Sequence, residues 1–176
     1  LLPPETVATV DSGAHRILFS GAHRILFSQM WRCPAPQTLL QSSALCTMGC
    51  AVPLAIGMGH QRPSAPSVSF SGDAGFLMVG GELSTAAELG VTTIFVVFVD
   101  SSLALIELKQ RQRQLKNAGV DFAKHDFAAM GRAFGGAGHT VTNRAELAAA
   151  LDAAQSSDTF TVIAAVIERG AYDGRI

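Results

Sequence analysis

Six short segments rich in β-branched and apolar residues recur along the chain: Thr6–Asp11, Thr38–Gln41, Ser67–Ser71, Thr93–Val99, His139–Val141 and Phe160–Ile167. Helical patterns lie between them, over His23–Trp31, Met48–Met58, Gly80–Leu89, Leu103–Leu115, Asp126–Phe134 and Arg144–Ala154. Strands that read as nearly continuous apolar runs are buried on both faces, and strands joined through helices pair in parallel. The alternation therefore predicts an α/β fold: a three-layer, doubly wound, mostly parallel six-stranded sheet with helices on both faces, forming one domain over residues 1–176. Asn143 reads as the N-cap of the Ala-rich helix that follows it, and Gly90 as the stop after Leu89.

In such a sheet a ligand sits beyond the carboxyl ends of the strands, where the strand order reverses. The segments that fall at that edge are Asp11, Gly72–Gly75 and Asp100, and the chemistry is sought there. The rest of the composition narrows the field. With 48% apolar and 15% charged residues the chain can build a full core, and a net charge of −1 argues against a nucleic-acid or membrane-surface partner. No apolar run approaches the ~18 residues of a membrane helix, and no signal peptide is visible. Cys33, Cys46 and Cys50 lack nearby ligand partners in sequence, so they read as small thiols of a reducing compartment, and a cytoplasmic location is expected.

Gly13–Ser20 is repeated without change as Gly21–Ser28. This tandem duplication (13–20/21–28) is too short for a solenoid repeat, whose periods start at roughly 20 residues. Eight residues added inside a helix would lengthen it by ~12 Å and turn its downstream face by ~80°. The first copy is therefore expected to form a loop or frayed turn, and the second to keep the helical register into Trp31.

Gly72-Asp73-Ala74-Gly75 follows a strand. Small residues such as Ala74 and Gly75 let the backbone approach a phosphate, and Asp73 is a hard oxygen ligand suited to Mg²⁺. A turn of this kind also fits an acid that merely caps a strand end. Asp100 ends the next strand, 100 − 73 = 27 residues later. One helix and one strand between them would bring both carboxylates to neighbouring strand ends, where diphosphate oxygens and a backbone carbonyl would complete a metal shell. Lys109, Arg111 and Arg113 read as a solvated helix face.

The stretch Gly72–Asp100 resembles the thiamine diphosphate (ThDP) signature, Gly-Asp-Gly followed about 25 residues later by Asn, with Ala74 and Asp100 at the two departures. Ser43-Ala-Leu-Cys-Thr-Met-Gly-Cys-Ala-Val-Pro-Leu-Ala-Ile-Gly57 is similar to a segment of the acetolactate synthase type, with Ala44 and Cys46 at usual glycines. Val10-Asp-Ser-Gly-Ala-His15 resembles a strand-to-helix turn of the same family, and Asp126-Phe…Phe-Gly135 continues the likeness over nearly the whole chain. The chain thus looks like the C-terminal diphosphate-binding domain of an acetolactate synthase-like, ThDP- and Mg²⁺-dependent enzyme.

The resemblance implies roles residue by residue. Asp73, Asp100 and the carbonyl of Ser102 would bind Mg²⁺. The Cys46 carbonyl would accept from the aminopyrimidine, and Met48 would wedge the bent cofactor. Gly13, Ala14 and His15, or His23 if the second copy aligns, would meet the diphosphate. Ala74 and Gly75 would lie close to it, and Leu103, Ala104 and Leu105 would line its side. It implies decarboxylation or carboligation of 2-oxo acids, hence a lyase or transferase, within a homo-oligomeric parent. No catalytic residue is expected in this chain, because in the family the activating Glu belongs to a pyrimidine-binding domain of the same or a neighbouring subunit. The chain is accordingly expected to be a fragment, inactive alone. The runner-up expectations are a separate small subunit of a two-subunit ThDP 2-oxo acid decarboxylase, and a degenerate, non-catalytic structural domain.

Overall fold

In the computed structural model, residues 1–11, 31–42 and 45–170 are described. The duplicated segment, the turn bearing Gly13, Ala14, His15 and His23, most of the helix expected over His23–Trp31, and Ala44 lie outside them. The strands are β1 (Val7–Val10), β2 (Leu39–Gln41), β3 (Ser67–Gly72), β4 (Ile94–Val99), β5 (Ala137–Val141) and β6 (Thr161–Val166). They form one six-stranded sheet in the order β2-β1-β3-β4-β6-β5, and every pairing is parallel. The expected "mostly parallel" sheet is thus wholly parallel. From β1 the chain first builds outward to β2 and then returns to place β3 on the other side, so the order reverses between β1 and β3.

Central strands bury both faces, which is why β4 reads Ile-Phe-Val-Val-Phe-Val without polar alternation. On one face Phe95, Val97, Val162 and Ala164 pack against α1 (Ala51–Gln61), α2 (Asp73–Val79), α3 (Glu82–Glu88) and α5 (Phe127–Ala133). Phe76 of α2 stands edge-on to Phe95 and Phe127, at centroid distances of 6.4 and 5.8 Å. On the other face Ala8, Val68, Ile94, Val96, Ile163 and Ala165 pack against α6 (Arg144–Gln155), with Trp31 and Leu39 at the margin. Each fully buried Phe or Val contributes about 1.5–3 kcal/mol relative to an exposed one, so this two-sided burial is what holds the layers together.

Helix ends follow local chemistry. The Asn143 side chain accepts from the Glu146 N–H at 3.0 Å, the expected cap of α6. Gly90 adopts a left-handed φ of +61° just beyond α3, the conformation a side chain resists. Helix α4 spans Ala104–Gln112 and ends short of Leu115, because Gln114 takes φ +55°. The helix expected over Gly80–Leu89 is α3, and a further helix not expected from sequence, α2, lies just before it, the two meeting at Gly80-Gly81. Helix α2 begins directly at Asp73: Gly72 stays extended, Asp73 places an acid in the first turn, and buried Phe76 anchors the helix.

Candidate functional site at the strand carboxyl ends

The residues that directly follow β1, β3 and β4 bring three carboxylates to one edge: Asp11, Asp73 and Asp100. Because β3 and β4 are hydrogen-bonded neighbours with Gly72 opposite Phe98, the 27-residue spacing closes as the sequence suggests. The Asp73 carboxylate is buried, 2% exposed. Its Oδ2 accepts from the N–H groups of Asp100 (3.1 Å) and Ser101 (2.7 Å), and its Oδ1 from that of Ala74 (2.8 Å). One side chain therefore ties the start of α2 to the turn after β4. Ser101 holds φ +56° in that turn. Ser102 donates its N–H to Asp100 Oδ1 at 3.1 Å.

Burial raises the Asp73 pKa above the ordinary carboxylate range, although backbone donors from Ser101, Ala74 and Asp100 oppose it. Burial and then the Asp73 charge push Asp100 up to about 6, against the opposing pull of the Ser102 N–H and the Arg169 charge. A buried carboxylate whose charge disfavours the ionised form of its half-buried neighbour makes a place where a divalent cation lowers the energy. The donor chemistry, hard carboxylate oxygens beside exposed strand ends, fits Mg²⁺ better than a soft metal. Among the described residues no three His, Cys, Asp or Glu side chains gather as a metal set. The side chains there that could meet a cation are those of Asp73 and Asp100.

The turn carrying Ser102 is clamped from outside. Ser102 bridges to Asp121 in antiparallel fashion, its hydroxyl contacts Asp121 Oδ1 at 3.4 Å, and the Leu103 N–H donates to the Val120 carbonyl at 2.8 Å. Asp121 also accepts from Asn117 Nδ2 at 2.9 Å and pairs with Arg169. Leu103 and Ala104 are half-buried where α4 begins, and Leu105 is buried.

The segment with Cys46 and Met48 forms a turn before α1. Cys46 has φ +57° and Gly49 has φ +84°. Cys46 thus occupies a left-handed position where glycine costs nothing and an L side chain costs about 1–2 kcal/mol. Met48 is half-buried. The Gly49 N–H donates to Asp11 Oδ2 at 2.9 Å, and the Cys50 thiol lies 3.7 Å from Asp11 Oδ1.

The structure thus brings Asp73, Ala74, Gly75, Asp100 and Ser102 into one locale. Gly13, Ala14, His15 and His23 lie outside the described residues. Asp11 received no role from sequence beyond its place at a strand end; a buried acid at the strand-order reversal was its only signal. The Asp121–Arg169 clamp joins residues 48 apart and had no sequence signal at all. Arg111 pairs with Glu107 at 3.1 Å on an exposed face, as a solvated helix run should. No helix among the described residues is long and apolar enough to cross a membrane.

Residues 20–165 match a family described as thiamine pyrophosphate enzyme, C-terminal TPP binding domain; TPP is ThDP by another name. The acetolactate synthase of Bacillus subtilis (strain 168) is 33% identical over 140 residues, which is 80% of this chain and 23% of that protein. The catabolic acetolactate synthase of Raoultella terrigena is 34% identical over 122 residues, 69% of this chain and 22% of that protein. The chain therefore spans less than a quarter of the length of these relatives. The crystal structure of benzoylformate decarboxylase from Polynucleobacter necessarius superposes with a TM-score of 0.79 over 95% of this chain and 31% of that one, at 23% identity, which is a likeness of fold.

Proposed function

Since this chain belongs to the family of C-terminal TPP-binding domains of thiamine pyrophosphate enzymes, we propose that it anchors ThDP through Mg²⁺ at Asp73 and Asp100, as part of an acetolactate synthase-like enzyme acting on 2-oxo acids. The observation that carries this reading is the carboxylate pair itself: two acids on adjacent strand ends, coupled closely enough that one raises the pKa of the other.

Each segment has a physical task. Asp73 and Asp100 supply carboxylate oxygens to the cation, and the Ser102 carbonyl is the third protein ligand. The Asp73 carboxylate also fixes the turn after β4 through two N–H groups, so the metal-facing turn is held before any ligand arrives. Ala74 and Gly75 keep the start of α2 slim beside the diphosphate. Leu103, Ala104 and Leu105 close its side. The Cys46 carbonyl would accept from the aminopyrimidine, and Met48 would offer the cofactor an apolar wedge. Gly13 and Ala14, with His15 or His23, approach the diphosphate from the β1 side. When bound, ThDP supplies the electron sink for decarboxylation or carboligation of a 2-oxo acid.

The activating carboxylate comes, in this reading, from a pyrimidine-binding domain of the same or a neighbouring subunit in a homo-oligomeric enzyme. Leu45, Leu54, Leu77 and Met78, exposed apolar residues on the turn before α1 and on helices α1 and α2, support a partner at that end. Three free thiols suit a reducing, cytoplasmic setting.

Calorimetric titration of ThDP tests the anchor. Binding is expected with Mg²⁺, to fall to background with EDTA, and to weaken at least about tenfold in Asp73→Ala. Equal heats with and without Mg²⁺ would sink the metal anchor, and no heat with either would favour a domain kept for assembly alone.

A further inference from the structure

Asp11 is a buried carboxylate, 2% exposed, that the metal anchor does not use. Two pieces of chain converge on it. Its Oδ2 accepts the Gly49 N–H at 2.9 Å, and its Oδ1 lies 3.7 Å from the Cys50 thiol. A Cβ added to Gly75 would stand 2.2 Å from Oδ2, so the carboxylate fills the space that glycine leaves open in α2. Gly49 is pressed in turn: a Cβ there would meet Val79 at 2.9 Å and the Gly75 carbonyl at 3.0 Å. Gly49 also needs its φ of +84°. The turn before α1 and the first turns of α2 thus touch through glycines on both sides, with one acid wedged at the seam.

The geometry points to Asp11 as a positioning residue that locks the Cys46–Cys50 turn to the first turn of α2, so that the two move as one body. On the reading proposed above, one of these segments meets the aminopyrimidine and the other the metal and diphosphate. The distance between the two ends of the cofactor would then be set by a side chain that touches neither end. Gly75, taken from sequence as a phosphate-approach residue, has a second reason to lack a side chain. A charge-assisted bond to a backbone N–H at 2.9 Å, out of water, is among the stronger single contacts available for such a lock.

Hydrogen exchange of the full 176-residue chain, with ThDP·Mg²⁺ titration beside it, decides the matter. In Asp11→Ala, peptides covering the Cys46–Cys50 turn and the start of α2 should exchange about tenfold faster, while β4 and β6 keep their protection. Asp11→Asn, which retains one acceptor oxygen, should restore part of it. Gly75→Ala, which drives a methyl into the carboxylate, should loosen the same two segments. Combined with Asp11→Ala it should loosen them no further, because the space has been vacated. ThDP·Mg²⁺ affinity should fall about tenfold in Asp11→Ala and recover in part in Asp11→Asn.

Exchange that rises evenly over the whole sheet, or not at all, would overturn the lock, as would additive effects of the two substitutions. If Asp11→Ala does not fold, Asp11→Asn and Gly75→Ala carry the same comparison. If the unsubstituted chain binds no ThDP·Mg²⁺, the anchor reading fails on its own and the exchange arm still decides the lock. Local loosening with unchanged affinity in a chain that does bind would show that Asp11 does not position the cofactor segments.

Discussion

Asp73 sits deep just past β3, accepts three backbone N–H groups, and still has its pKa raised, because burial outweighs those bonds. Asp100 beside it is raised to about 6 from an ordinary 3.8. The sign of the pH dependence follows. In the metal-free chain the folded state holds protons that the unfolded chain has released, so the contribution of Asp100 to stability is full below about pH 4 and is lost as pH rises through about 6, and the raised Asp73 acts in the same direction. Mg²⁺ should reverse that loss. We expect the urea midpoint to be indifferent to Mg²⁺ near pH 4.5 and to rise with it at pH 7.5 when ThDP is present. In Asp73→Asn the Asp100 pKa should fall, and both the metal response and the acid-side gain should shrink. A Mg²⁺ response that grows as pH falls would contradict the assignment. The pair was legible in sequence because a strand-ending acid recurs after one helix and one strand. The role of Asp11 was not, because it depends on Gly75, distant in sequence and brought close only by the parallel pairing of β1 with β3.

The elements were legible where periodicity and capping agree. All six strands were readable from β-branched runs, and Asn143 announced α6 three residues before the Glu146 N–H it accepts. Removing that cap in Asn143→Ala should cost about 1 kcal/mol, read as a shift of the urea midpoint at constant slope. Helix α2 was missed because Gly72, Gly75, Gly80 and Gly81 make Asp73–Val79 look like loop; only burial of Phe76 against the sheet makes it helical. Helix α5 shows the same dependence on packing. A Cβ at Gly138 of β5 would lie 2.0 Å from the Ala128 carbonyl oxygen of α5, a backbone atom that no rotamer change can move. Gly138→Ala should therefore cost more than the cap, about 1–3 kcal/mol in the same denaturation experiment. A smaller loss there than in Asn143→Ala would mean that α5 is free to slide on the sheet.

At the scale of the whole molecule, the sheet order β2-β1-β3-β4-β6-β5 puts the reversal between β1 and β3, and the three acids Asp11, Asp73 and Asp100 directly follow three neighbouring strands across it. The fold class, the edge and the acid pair could all be read from sequence. The clamp of Ser102 by Asp121, itself paired with Arg169, could not, since no local pattern encodes a contact 48 residues away. On the proposed reading the chain holds the cofactor and a second domain supplies the activating acid: with ThDP and Mg²⁺, the chain by itself should turn over pyruvate no faster than the cofactor does in buffer, and added pyrimidine-binding domain should raise the rate. The most direct measurement is a crystal grown with Mn²⁺ in place of Mg²⁺ and with ThDP, read by anomalous scattering. We expect one strong peak between the Asp73 and Asp100 carboxylates, and its loss in Asp73→Ala. A peak elsewhere on the molecule, or ThDP at the strand ends with no metal between these two acids, would contradict it.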